Sequence, residues 1–184
     1  MDRKIAVIFP GIGYHKDKPL LYYGARLARD RGYEVIDIEY HDMPQKIRGN
    51  VEMMRKAAGI ACEQSADRLS QIDLADYKDV LFIGKSIGTV ALADYVKKHD
   101  LDVKQIWYTP VEATFSFGGK NVLTFIGDAD PWSDVDKVKA MAREQGIPLY
   151  SYPDCNHSLE CDSVDQNLVN IRDVMSKTAE FIDK

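Results

Sequence analysis

The sequence predicts a three-layer α/β/α sandwich built on a mostly parallel six-stranded sheet. Short runs of branched apolar residues alternate with longer stretches of helical periodicity, which is the pattern of repeated βαβ units. The chain has 184 residues, 45% of them hydrophobic, and carries no internal repeat or Pro/Ser-rich linker. We therefore expect a single domain that spans residues 1–184.

The elements follow one another in regular order. The predicted strands cover residues 5–9, 34–39, 80–83, 105–108, 121–126 and 148–152. The predicted helices cover residues 20–31, 51–69, 87–99, 135–145 and 164–182. Gly32 and Gly146 stand where C-caps are expected, and Ser133 with Asp134 places polar caps before the fourth helix. Two longer irregular connections, 40–50 and 109–120, follow strands and so lie at the edge of the sheet where ligands bind.

Composition argues against several classes of protein. The formal net charge is −5 and no basic run exceeds Lys97-Lys98, so a nucleic-acid partner is not expected. No apolar stretch approaches the roughly 20 residues of a membrane span, and the run at 5–9 is too short for a signal sequence. Three cysteines are an odd count, which favours a reducing compartment. We expect a cytoplasmic protein without a membrane span.

A metal site is the weaker interpretation of the cysteines near the C-terminus. Cys155, His157 and Cys161 lie close together beside Glu160, and sulfur and imidazole suit zinc. The chain lacks a second paired set of ligands, so we expect no metal and no cofactor.

Residues 84–88 read Gly-Lys-Ser-Ile-Gly and follow the predicted strand 80–83 directly. A serine in a tight turn between strand and helix is lifted clear of its neighbours, and flanking glycines let strand and helix pass closely. This pattern makes Ser86 a candidate nucleophile. A phosphate-binding loop is excluded because Asp79 stands where that motif needs a glycine. A helix cap without chemistry remains the alternative for Ser86.

The partners of a nucleophilic serine follow in the order serine, acid, histidine. The loop after strand 121–126 offers Asp128 and Asp130, either of which could orient a histidine. The loop after strand 148–152 carries His157, the candidate general base. Both loops are expected at the same edge of the sheet as Ser86.

Three segments together resemble the α/β-hydrolase superfamily: residues 84–88, residues 127–131 (Gly-Asp-Ala-Asp-Pro) and residues 156–159 (Asn-His-Ser-Leu). The resemblance covers nearly the whole chain. It is similar to the compact, lidless members whose nucleophile follows a lysine, described as dienelactone-hydrolase-like or serine esterase-like. In such families the acid precedes a proline, which implies Asp130 rather than Asp128.

The resemblance also implies an oxyanion hole. Its first donor is the N–H of Ile87, which begins the helix after the nucleophile. The second comes from residues 10–15 after the first strand, where Ile12 is favoured and Gly13 or Tyr14 are alternatives. Pro10 stands where such families often have histidine. Gly13, Tyr14, His15 and Trp132 are candidates for contact with substrate.

These expectations define a serine hydrolase that cleaves a carboxylic ester or thioester of a small-molecule acyl substrate through an acyl-enzyme. No insertion is long enough to form a lid, so the pocket is expected to be shallow and open. Two alternatives remain: a non-catalytic binding module on the same scaffold, and an acyltransferase that uses the same triad.

Overall fold

The computed structural model describes residues 3–184 and contains one six-stranded sheet. The strands are β1 (Lys4–Phe9), β2 (Tyr33–Asp37), β3 (Asp79–Lys85), β4 (Lys104–Tyr108), β5 (Val122–Gly127) and β6 (Leu149–Tyr152). Their order is β2-β1-β3-β4-β5-β6, and every neighbouring pair is parallel. The predicted fold class is confirmed, with the sheet entirely rather than mostly parallel.

Five helices cover the two faces of the sheet. They are α1 (Pro19–Asp30), α2 (Val51–Leu69), α3 (Ile87–Lys98), α4 (Val135–Glu144) and α5 (Val164–Ile182). The buried residues of α1 and α5 belong to one apolar cluster, and those of α2, α3 and α4 belong to the other. None of the helices described in residues 3–184 has the length and apolar character needed to cross a membrane.

Two segments differ from the pattern predicted for them. Strand β2 ends at Asp37, although Ile38 still donates its N–H to the carbonyl of Ile8 at 2.9 Å. The connection 109–120 contains a short 3₁₀ helix at Glu112–Phe117, which is held because the ring of Phe115 packs edge-on against Trp107 with centroids 5.4 Å apart. Tertiary packing, rather than local propensity, orders this connection.

The parallel arrangement decides where chemistry can occur. All six strands run the same way, so the loops that leave β1, β3, β4, β5 and β6 emerge at one edge of the sheet. The predicted nucleophile, acid and base each follow one of these strands. The fold therefore brings together segments that are distant along the chain.

Candidate active site

Ser86 lies in a strained turn between β3 and α3. Its φ of 55° and ψ of −122° fall in a region that residues with a side chain rarely adopt. A Cβ on Gly88 would lie 2.2 Å from the carbonyl oxygen of Phe9, and one on Gly84 would lie 2.3 Å from Leu92 Cδ2. The turn therefore needs glycine on both sides. The Ser86 side chain makes no capping hydrogen bond to α3, so the helix-cap alternative is wrong.

Ser86, His157 and Asp130 form a continuous chain of hydrogen bonds. The Ser86 hydroxyl and His157 Nε2 are 2.8 Å apart, and His157 Nδ1 lies 2.6 Å from Asp130 Oδ2. With Nδ1–H donating to the carboxylate, Nε2 is left to accept the serine proton. This is the arrangement in which an imidazole can activate a hydroxyl.

The two candidate aspartates have different partners. Asp130 is buried; one of its oxygens faces His157 and the other accepts the N–H of Trp132 at 2.9 Å. Asp128 instead accepts the N–H of Asp154 at 2.6 Å and so ties the β5 loop to the β6 loop. The geometry favours Asp130 as the acid and gives Asp128 a role in holding the two loops together.

Further residues hold the histidine in place. Thr109, which directly follows β4 with a φ of 45°, donates its hydroxyl to the carbonyl of His157 at 3.0 Å. Asn156 Oδ1 accepts the N–H groups of Ser158 at 2.7 Å and Glu160 at 3.3 Å, which closes the loop around the imidazole. Sequence reasoning missed both supports. For Thr109, the sequence signal was its position directly after a predicted strand.

The electrostatic environment favours a neutral imidazole. Burial lowers the pKa of His157 below its ordinary value, and the hydrogen bond to Asp130 opposes that shift. The amine of Lys85 adds to the lowering of the His157 pKa. Lys85 is itself fully buried, and this burial lowers its own pKa to about 7. Two basic groups with lowered pKa values therefore lie around one carboxylate.

The loop after β1 packs directly against the turn at Ser86. Reciprocal backbone hydrogen bonds of 3.1 and 3.3 Å join Gly11 and Tyr14, which leaves Ile12 in the bend between them. A Cβ on Gly11 would lie 3.3 Å from Ser86 Cβ. Ile87 is the first residue of α3, where backbone N–H groups have no intrahelical acceptor. The assignment of Ile12 and Ile87 as oxyanion donors stays a prediction.

A cavity of about 540 Å³ opens beside Ser86 and His157. Ile12, Ile87 and Trp132 line it together with apolar side chains from the start of α2 and from neighbouring elements, among them Ile47, Val51, Met54, Ala58 and Val111. The first half of α2 thus forms one wall of the cavity, whereas the sequence predicts a shallow, open pocket. No sequence signal marks this wall, because its residues have the spacing of ordinary helix packing.

The structure places three of the predicted substrate contacts outside this cavity. Gly13, Tyr14 and His15 do not line the cavity beside Ser86. The Tyr14 ring turns inward and is buried, with its hydroxyl accepting the N–H of Leu20 at 3.1 Å. Gly13 and His15 line a separate cavity on the other side of the loop. Ile12 lines both cavities, so the bend at Ile12 lies between them.

Comparison with known proteins identifies the fold. No family model matches the chain, and no curated protein matches it. Among solved structures, an α/β serine hydrolase homologue from Coxiella burnetii superposes with a TM-score of 0.67 at 14% identity, covering 96% of this chain and 85% of its own. Est1E from Butyrivibrio proteoclasticus with bound ferulic acid gives 0.69 at 13% identity (100% and 92% covered). The esterase Pf2001 from Pyrococcus furiosus gives 0.69 at 12% identity (99% and 82% covered). The chain has the α/β-hydrolase fold.

Proposed function

We propose that the protein is a serine hydrolase that cleaves a carboxylic ester or thioester. The observation that carries this proposal is the hydrogen-bonded chain from Ser86 through His157 to Asp130, seated beside a cavity. A serine hydroxyl is a weak nucleophile at neutral pH unless a base accepts its proton. The names of two structural neighbours, a serine hydrolase homologue and the esterase Pf2001, agree with this class of reaction.

The mechanism follows from the positions of these three side chains. Ser86 attacks the acyl carbonyl while His157 Nε2 takes its proton, and Asp130 holds the imidazole and stabilises its charged form. His157 then gives the proton to the leaving group, which departs and leaves an acyl-enzyme. A water activated by the same imidazole releases the acid. In both halves the N–H groups of Ile12 and Ile87 would bind the oxyanion.

The cavity favours an apolar acyl group. Ile47, Val51, Met54 and Ala58 offer hydrocarbon contacts along its walls, and the charged residues of its lining are Arg55, Glu112 and Lys137. At about 540 Å³ it can hold an acyl chain of several carbons or a single aromatic ring. We therefore place small esters and thioesters with apolar acyl groups first among the substrates.

The test is ester turnover by purified protein and its Ser86→Ala variant. With p-nitrophenyl butyrate as substrate, we expect the variant to lose turnover on the order of 10⁶-fold, since the hydroxyl and imidazole act as a unit. Ser116→Ala serves as the matched control, because Ser116 is an exposed serine distant in sequence from the triad. Circular dichroism checks that both variants are folded. Turnover by Ser86→Ala equal to that of the parent protein would overturn the assignment.

A fluorophosphonate probe separates this proposal from a non-catalytic module. Such probes label an activated serine, so peptide mapping should find the adduct on Ser86 in the parent protein and none in Ser86→Ala. A folded protein that neither labels nor turns over esters would be a binding module. Products formed with added alcohols or amines, in place of the free acid, would indicate acyl transfer.

A further inference from the structure

Lys85 is a buried amine that the reaction as described does not use. It is the last residue of β3 and precedes Ser86, yet its side chain has no exposed surface. Within residues 3–184 its Nζ has no hydrogen-bond partner. Buried polar groups are almost always hydrogen-bonded, and a buried charge without a partner is strongly unfavourable. A group held at such a cost beside the nucleophile calls for a physical explanation.

The surroundings of the amine are aromatic on one side and ionic on the other. Lys85 Nζ lies 4.8 Å from the centroid of the Tyr14 ring, within the range of a cation–π interaction. Tyr108, the register partner of Lys85 on β4, lies in the same apolar cluster as Tyr14. Its hydroxyl forms a hydrogen bond of 2.8 Å with the hydroxyl of Thr178. The ring face at Tyr14 thus offers the ammonium a favourable contact.

The titratable groups that act on this region come from the loops at the sheet edge. Asp130, on the loop after β5, interacts electrostatically with Lys85. His157, on the loop after β6, is affected by Lys85 in turn. Glu160 acts on Tyr14 from the same loop as His157. Lys85 directly precedes Ser86, whose hydroxyl lies 2.8 Å from His157 Nε2, and Lys85 does not line the cavity beside Ser86.

We propose that Lys85 is a positioning residue whose buried ammonium acts through space to keep His157 in its neutral, proton-accepting form. A positive charge near an imidazole makes its protonation less favourable. The proposal rests on the proposed function, in which His157 must begin the reaction without a proton.

The directions of the two pKa shifts agree with this role. Burial lowers the pKa of Lys85 to about 7 and lowers that of His157 below its ordinary value. In acidic solution, where the amine carries its proton, its charge opposes protonation of the imidazole.

The experiment is an NMR titration of the histidine Cε1–H signals in the full-length protein and in Lys85→Met. Methionine keeps the length of the side chain and removes its charge. The His157 signal is assigned by its loss in His157→Asn, and His15, His41 and His99 serve as internal references. We expect the His157 midpoint to rise by roughly one pH unit in Lys85→Met, the size typical of a nearby charge, and the other three midpoints to stay unchanged.

Thr124→Val is the matched control, because Thr124 Oγ1 is the other buried side-chain atom without a partner in residues 3–184 and its removal changes no charge. Its His157 midpoint should equal that of the parent protein. Should Lys85→Met fail to fold, Lys85→Leu is used in the same way. A His157 midpoint that stays the same or falls in the charge-free variant overturns the proposal. Because the titration does not depend on turnover, it tests the role of Lys85 separately from the proposed hydrolase activity.

Discussion

Asp128 and Asp130 lie two residues apart in one loop, but they make different hydrogen bonds. Asp130 is buried and faces His157 Nδ1, whereas Asp128 accepts the N–H of Asp154 from the neighbouring loop. The sequence could place both at the right edge of the sheet but could not choose between them from the residues alone. The choice depends on the direction in which each side chain leaves the loop, and that direction is set by contacts with the neighbouring loop.

Amide substitutions test this assignment. Asp130→Asn should lower kcat by about 10⁴-fold, because an amide that donates to Nδ1 stabilises the imidazole tautomer that cannot accept the serine proton. Asp128→Asn keeps an oxygen able to accept the N–H of Asp154, so its kcat should remain close to that of the parent protein. Initial rates with p-nitrophenyl butyrate and a thermal melt of each variant make the comparison. Equal losses in the two variants would contradict the separation of roles.

At the scale of elements, the glycines around Ser86 are required by contact as well as by conformation. Strand β3 and helix α3 meet at an angle that brings the start of α3 against the end of β1. A Cβ on Gly88 would lie 2.2 Å from the carbonyl oxygen of Phe9 and 2.5 Å from that of Pro10. These are backbone atoms at the start of the loop that contains Ile12. Any side chain at position 88 must therefore move either the turn at Ser86 or the loop that contains Ile12.

Gly88→Ala should consequently be destabilising by on the order of 3 kcal/mol, and should lower turnover in whatever fraction stays folded. Gly59→Ala is the matched control, since Gly59 lies exposed in α2 and a methyl group added there would meet no atom within 4 Å. Alanine is the better helix former, so this control should gain about 0.5–1 kcal/mol. Urea denaturation of both variants measures the two changes. A Gly88→Ala protein as stable as its parent would show that the loop containing Ile12 can shift at little energetic cost.

Elements with a strong local pattern were predictable, and those set by packing were not. The run Val80 to Ile83 and the glycines after it indicate a strand, a turn and a helix without knowledge of the rest of the chain. The 3₁₀ helix at Glu112–Phe117 depends on Trp107, a residue of a neighbouring strand, and has no such local signal. The cavity wall formed by Met54 and Ala58 was likewise not predictable. The periodicity of a helix shows which face is apolar but does not show which part of the protein that face contacts.

At the scale of the whole molecule, the order of the strands assembles the site. Ser86 and His157 are 71 residues apart in sequence, and β4 and β5 lie between their strands in the sheet. Parallel pairing brings every loop that follows a strand to the same edge, so the predicted order serine, acid, histidine places the three side chains at one edge of the sheet. The position of Lys85 is a consequence of the same packing: the strand that presents Ser86 to the cavity directs the preceding side chain into the opposite apolar layer.

This burial should be visible in global stability as a function of pH. The pKa of Lys85 is lowered by burial from 10.5 to about 7 in the folded protein. Between these values the unfolded chain holds a proton that the folded chain has released, so the free energy of unfolding rises with pH across that window. Below pH 7 both states are protonated and the full cost of the buried charge is present. One unit of pKa corresponds to about 1.4 kcal/mol, so this cost amounts to several kcal/mol.

Lys85→Met should therefore be more stable than its parent, and the gain should depend on pH. We expect the difference in Tm between Lys85→Met and the parent to be largest at pH 6–7 and to shrink steadily toward pH 10, because only the parent recovers stability as the amine loses its proton. Groups whose pKa is the same in both proteins cancel in the difference. His157, whose midpoint we expect to rise in Lys85→Met, does not cancel near neutral pH, so the trend is read between pH 8 and 10. Thr124→Val, which removes an uncharged buried group, should show a difference from the parent that is independent of pH. A constant Tm difference for Lys85→Met over the same range would mean that the amine does not titrate there, and that its burial has a smaller energetic cost than its surroundings indicate.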